Sequence, residues 1–197
     1  MYGMVNRAIE QFIKEKHGMD TWERVASKAD VQEDFLSMEQ YPDSASVNLI
    51  VGLSDVTAES PAQILADVGE YWVKFAHNSE YGDLLDMAGD TLPEVLANLD
   101  EMHMRVGQSF DELKPPSFWV SDLTEDSLIL HYASERDGLA PMVVGLVRGL
   151  GELLNTGCSV IQVGFKGDTS DHDEFAVAFE KIEIETPEYQ PTKAFEE

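Results

Sequence analysis

The chain reads as an α+β protein, helices first and then a helix set among four antiparallel strands. Three observations predict this. Up to residue 110 the apolar residues recur at spacings of three and four, the period of amphipathic helices. After Pro115-Pro116 the pattern changes to alternation, the period of half-buried strands. One further helical segment then separates two strand pairs. The 197 residues, 43% of them hydrophobic, suffice for one domain, with one or two lobes.

Residues 1–18 place Val5, Ile9, Phe12 and Ile13 on one helical face, and Gly18 supplies a stop. Asp20, followed three residues later by Glu23, predicts the cap of a second helix with Trp22 and Val25 inward. Residues 41–55 predict a short helix whose apolar face is Val47, Ile50 and Val51. Ser60-Pro61-Ala62-Gln63 is a strong start signal, with Ser at the cap and Pro at the first helical position. The helix it opens carries Ile64, Leu65, Val68, Trp72 and Phe75. A short helix over 80–88 ends at Gly89. Thr91-Leu92-Pro93-Glu94 repeats the capping pattern and opens the central helix, expected to run to Phe110. Its stripe is Val95, Leu96, Leu99, Met102, Val106 and Phe110, and His103 is set into it beside Leu99 and Val106.

Residues 118–123 and 127–134 predict two strands joined by Thr124-Glu125-Asp126. Residues 138–154 return to helix through Met142, Leu146, Leu150 and Leu153. Residues 160–165 and 175–184 read as a second hairpin around an acidic loop. The expected folded unit is residues 1–185, with 186–197 an acidic, frayed tail.

Composition narrows the function. The chain has 38 acidic and 13 basic side chains, a formal net charge of −25. That field repels phosphate backbones and anionic lipid, so neither nucleic acid nor a membrane is an expected partner. The single cysteine, Cys158, excludes an internal disulfide framework and any multi-cysteine zinc or iron–sulfur site. No signal peptide and no run of 18 apolar residues is seen, which predicts a cytoplasmic protein. GxGxxG, P-loop, GxSxG and HExxH motifs are absent from the sequence, so nothing supports nucleophilic or phosphoryl-transfer catalysis.

Two places remain where chemistry can sit. His103, on a rigid helix stripe, suits a metal ligand; it equally suits a core histidine bonded to a backbone carbonyl. Tyr132, Ser134 and Arg136 alternate, so on a strand they share a face. Arg is well suited to bidentate carboxylate binding, and the two hydroxyls can donate to the same oxygens. A ligand with one or two carboxylates fits this row, as does a solvated face with Arg136 paired to a local acid. His17, His77, His131 and His172 have no partner at metal-site spacing and read as surface or structural. Two alternatives follow from the residues: a small enzyme using His103 with Asp100 or Glu101, or a cofactor-free module binding a dicarboxylate through Arg136.

The opening MYGMVNRAIE, the YGDLLDMAG–LANLDEMH stretch, PPSF and LILHYASERDGL resemble the haem nitric oxide/oxygen-binding (H-NOX) family over nearly the whole chain to about residue 185. That family includes stand-alone bacterial members and the haem domain of the soluble guanylate cyclase β subunit. The resemblance implies a helical distal lobe packed over a proximal lobe with a four-stranded antiparallel sheet, and a haem b buried between them. It is held non-covalently, since CxxCH is absent, and is ferrous in the sensing state. His103 matches the proximal iron ligand. Tyr132, Ser134 and Arg136 match the propionate-binding motif, and Pro116 a proline that presses on the porphyrin. Val5, Ile9, Trp72, Met142 and Leu146 fall where the distal pocket is lined.

Oxygen-binding members place a tyrosine at the position of Met142, and methionine has no donor for bound O2. The resemblance therefore implies a sensor of nitric oxide, also able to take CO, and not an enzyme. NO would release His103 and let its helix move. No output domain is expected on this chain, so a separate signalling protein, typically a histidine kinase or a cyclic-di-GMP enzyme, would read the change. The multi-cysteine zinc site of some bacterial members is expected to be absent.

Overall fold

The computed structural model describes residues 1–31, 35–108, 113–168 and 170–180. The periodic segments fold close to their expected bounds. The helices are α1 (Gly3–His17), α2 (Met19–Ala29), α3 (Asp43–Thr57), α4 (Pro61–His77), α5 (Gly82–Asp86), α6 (Leu92–Gly107) and α7 (Ala140–Leu153). The strands are β1 (Ser117–Ser121), β2 (Ser127–Ala133), β3 (Cys158–Gly164) and β4 (Asp173–Phe179). Phe110, residues 181–184 and the expected tail lie outside the described residues.

Start and stop signals act mostly as read. Ser60 Oγ accepts from the Gln63 N–H at 3.2 Å, and Gly18 ends α1 with φ 87°. Asp20 does not cap α2. Gly18 holds that position, and Asp20 lies inside the first turn, where its charge favours the helix N-terminus. Helix α3 is 15 residues long and buries Leu49, Ile50 and Leu53 rather than Val47 and Val51. The last two are 54% and 47% exposed. Counting apolar residues placed the stripe one position round the helix; packing on α2 selected the face containing Leu49 and Leu53.

The two hairpins join through their inner members, giving one antiparallel sheet of order β1-β2-β4-β3. One face, carrying Phe118, Leu128, Leu130, Phe175 and Val177, is buried against α6 and α7. The other carries Trp119, His131 and Glu174.

Two apolar clusters result. One, within α1–α4, holds Ile13, Val25, Leu49, Leu53 and Ile64. The other joins α5, α6 and α7 to the sheet through Leu92, Leu96, Leu130, Val143 and Phe175. Helix α4 serves both, with Val68 in the first and Val73 in the second. Its pairing with α7 is very close. A Cβ added at Gly145 would collide with the Ala66 carbonyl, and one at Gly69 with the Met142 carbonyl. Only glycine lets the two backbones touch there.

Candidate functional site

Helix α6 positions the candidate ligand. The Glu94 carboxylate accepts from the N–H groups of Asp90 and Thr91, each at 3.1 Å, and fixes the start of the helix. Leu92, Val95, Leu96 and Leu99 bury its first turns. His103, four residues beyond Leu99, follows on the same face. Strand β1 lies alongside: Asp100 Oδ1 accepts from the Phe118 N–H at 3.2 Å. The Phe118 ring stacks on the His103 imidazole, with centroids 5.7 Å apart and planes at 22°. Phe118 also touches Tyr132, at 5.2 Å, so a column of rings runs from α6 to β2.

His103 is half-buried, and its Nδ1 is closed to solvent without a hydrogen-bond partner among the described residues. Burial pushes its pKa below the ordinary value, and the Asp100 carboxylate pulls partly back. The ring is therefore neutral near pH 7, the form that ligates metals. An unpartnered buried ring nitrogen costs about 1–3 kcal/mol, and the described residues offer His103 Nδ1 no backbone carbonyl. The carbonyl-bonded core histidine is not what the chain folds.

The imidazole lines a cavity of about 140 Å³ within the second cluster, where α4 to α7 meet the sheet. Met4, Trp72, Ala76, Leu99, Leu146 and Val147 are among its walls, and no charged side chain lines it. That volume lies below the roughly 300 Å³ at which organic-ligand pockets begin, so a flat macrocycle enters only as the side chains around it part. A wider concavity of about 680 Å³ is lined by Glu70, Arg148, Glu152 and Cys158. It is open and polar, and it holds none of the residues singled out above.

The cavity brings together His103, Trp72 and Leu146. Val5, Ile9 and Met142 belong instead to the α1–α4 cluster. Met142 lies one turn before Leu146 on α7, on the same face. Pro116 stands two residues ahead of Phe118, half-buried.

The polar row is built differently from the expected strand face. Strand β2 ends at Ala133, and Ser134 and Arg136 lie in the turn beyond it. Ser134 Oγ accepts from the Arg136 N–H at 3.0 Å, a local bond that bends the chain out of the sheet. Tyr132 stays on the buried face. Burial raises its pKa, partly offset by its bond with Ser134, so the phenol is a neutral donor. The Arg136 guanidinium donates from Nε to Asp43 Oδ2 at 2.8 Å, and its terminal nitrogen donates to the Lys114 carbonyl at 2.9 Å. Arg136 thus joins the sheet lobe to the start of α3. Burial opposes ionisation of Asp43, but its bonds from the chain's amino terminus and Arg136 hold its pKa below the ordinary value.

Sequence reasoning missed Met4, Tyr81 and Phe118 as neighbours of His103. Only the alternation that turns Phe118 inward was visible. It also set His131 and His172 apart as having no partner. That reading is corrected: the two rings are hydrogen-bonded at 3.0 Å, brought together across 41 residues by the β2–β4 pairing. Burial, then the neighbouring His172, holds the His131 pKa below its ordinary value.

These features define a class: an α+β fold in which a neutral helix histidine faces an apolar cavity where helices meet a sheet. The chain belongs to the haem-NO-binding family, whose profile matches residues 2–162. Soluble guanylate cyclase gcy-31 of Caenorhabditis elegans is 33% identical over 155 residues, covering 78% of this chain and 22% of that one. Guanylate cyclase soluble subunit beta-2 of Rattus norvegicus is 37% identical over 87 residues, 44% of this chain and 13% of that one. The chain spans about a fifth of the length of such relatives.

In fold it is similar to the H-NOX protein of S. oneidensis in its Fe(II)NO state, with TM-score 0.81, 17% identity, and 92% and 100% of the two chains covered. The unliganded Fe(II) H-NOX protein of K. algicida gives TM-score 0.78 at 21% identity, covering 92% and 98%. Domains of this family bind haem and gases such as NO, and they sense rather than catalyse. Among the described residues, no helix is long and apolar enough to cross a membrane.

The residues present suit a haem. One neutral imidazole with a buried, unused nitrogen can supply an axial ligand. The charge-free walls suit a porphyrin, and Tyr132, Ser134 and Arg136 can donate to carboxylates.

Proposed function

We propose that this chain is a haem-based sensor that prefers nitric oxide to oxygen and reports to a separate signalling protein. The observation that carries the reading is His103, a neutral imidazole with an unpartnered buried nitrogen on the wall of an uncharged cavity. The haem, b-type and ferrous when sensing, would supply an iron able to take NO or CO. His103 would hold the iron from α6, Tyr132, Ser134 and Arg136 would hold the propionates, and Pro116 would press on the ring. Trp72 and Leu146 would form the gas-side wall, with Val5, Ile9 and Met142 packed behind it in the α1–α4 cluster.

Selectivity follows from what that wall lacks. Bound O2 draws negative charge and gains from a donor on α7, which neither Met142 nor Leu146 provides; of the five gas-side residues only Trp72 carries one. Ferrous NO needs little such help. His103 would hold the iron, and α6, which carries it, is the element whose C-terminal end would shift the surface shown to the partner. A histidine kinase or a cyclic-di-GMP enzyme fits the partner's role, and a cytoplasmic setting fits the composition.

An absorption spectrum of protein expressed with adequate haem tests the reading. A Soret band is expected, with a ferrous NO complex and no ferrous O2 complex in air. A protein without the band would be neither a haem sensor nor a gas sensor. Met142→Tyr should admit an O2 complex. If the ferrous variant shows none, the shape of the pocket sets the selectivity, and the missing donor does not.

A further inference from the structure

On the outer face of the sheet, away from the cavity, three metal-ligating side chains converge. His131 lies on β2, with Trp119 of β1 and Glu174 of β4 directly opposite it in the ladder. His172 stands in the loop just before β4. Their donor atoms, His131 Nδ1, His172 Nε2 and Glu174 Oε1, are 3.0, 3.3 and 3.8 Å apart. A point equidistant from all three lies about 2.0 Å from each, the radius of that triangle, which matches zinc–imidazole and zinc–carboxylate bonds of roughly 2.0–2.2 Å. Among the described residues this is the one group of three or more His, Cys, Asp or Glu side chains so disposed.

The outer nitrogens are already engaged. His131 Nε2 pairs with Ser121 Oγ at 2.8 Å, and His172 Nδ1 with Ser170 Oγ at 2.7 Å and Asp171 Oδ1 at 2.9 Å. The carboxylate of Asp171 can only accept, so His172 Nδ1 carries a proton toward it. His172 Nε2 then faces inward, 3.0 Å from His131 Nδ1. Ser121 can hold His131 in the matching tautomer. Outer partners of this kind are what fix metal-binding imidazoles. The Trp119 ring lies parallel to His131 at 5.0 Å and tilted over His172 at 4.7 Å, so neither imidazole swings freely. The side chains of His131 and His172 are 12% and 17% exposed, so the trio is sheltered yet reachable. Two inward ring nitrogens and a carboxylate this close need a shared proton or a cation between them. The chain's net charge of −25 draws cations to the surface.

We propose that His131, His172 and Glu174 bind one divalent transition ion, zinc first, and thereby pin the loop before β4 to the sheet. Three protein ligands leave a fourth position for water. Cys158 takes no part; its thiol donates to the Val147 carbonyl. The proposal is independent of the haem reading.

The test is a calorimetric titration of the chelator-treated, haem-loaded protein with zinc chloride, alongside cobalt chloride followed by visible absorption. One zinc per chain is expected, together with the visible bands of four-coordinate cobalt and a change in Trp119 fluorescence that Trp119→Phe removes. His172→Gln and His131→Gln should each weaken zinc at least tenfold, with the far-ultraviolet dichroism and Soret band unchanged. Magnesium should not compete. Either of two results overturns the proposal: zinc binding in the parent no tighter than in the His131→Gln/His172→Gln double variant, or zinc displaced by equal magnesium. In either case the trio is held by a shared proton or by general acidity.

Discussion

The chain carries two histidine centres that solve opposite problems. His103 is a lone imidazole against uncharged walls, with one ring nitrogen buried and unpartnered. His131 and His172 sit on the far side of the sheet, with ring nitrogens bonded to serine hydroxyls, to Asp171 and to each other. A single neutral ligand in apolar surroundings cannot hold a bare ion, whose charge and remaining coordination would go unmet. It suits a metal that arrives with its own equatorial ligands and an apolar skirt. A polar trio with a carboxylate suits the bare ion. The groups that surround a histidine, more than the imidazole, decide what a site can take.

The sharpest way to break this comparison is to exchange the losses. His103→Gly should abolish stable haem retention, read as Soret absorbance per chain, and added imidazole should restore it. Zinc stoichiometry should not change. Haem occupancy equal to the parent's would show that another residue ligates the iron. In the reverse experiment His172→Gln should weaken zinc at least tenfold while the Soret band is kept; a joint loss of both would mean that the centres are one folding unit.

A smaller effect concerns the link between the lobes. Arg136→Ala removes the proposed propionate donor and also the bond to Asp43. Haem transfer to an apomyoglobin acceptor should be several-fold faster than from the parent. An unchanged off-rate would mean that Arg136 serves only the ion pair. The smallest concerns the stiffness of the ligand's helix. Glu94→Ala leaves two N–H groups at the start of α6 without their partner and should cost about 1 kcal/mol in denaturant unfolding. The Soret position should not move.

Helices were the most legible part of the fold, because a helix is closed by neighbours three and four residues apart. Ser60, Glu94 and Gly18 act within one turn of their own positions, so their signals needed no tertiary context. The failures share a cause. Which face of α3 is buried, where β2 lets go of the sheet, and that Arg136 pairs with Asp43 all depend on partners far away in sequence.

Of the site, the sequence by itself determined His103 on an apolar helix stripe, Tyr132 on a strand and the absence of a thiol cluster. Periodicity and composition are local, and the family resemblance rests on those same stretches. The tertiary structure alone decided that His103 has an unused nitrogen, that Phe118 stacks on it, and that Met142 packs one turn away from the cavity. It alone joined His131 to His172. The 41 residues between them carry no spacing rule, and only the hydrogen-bonded register of β2 with β4 brings the two rings to 3.0 Å.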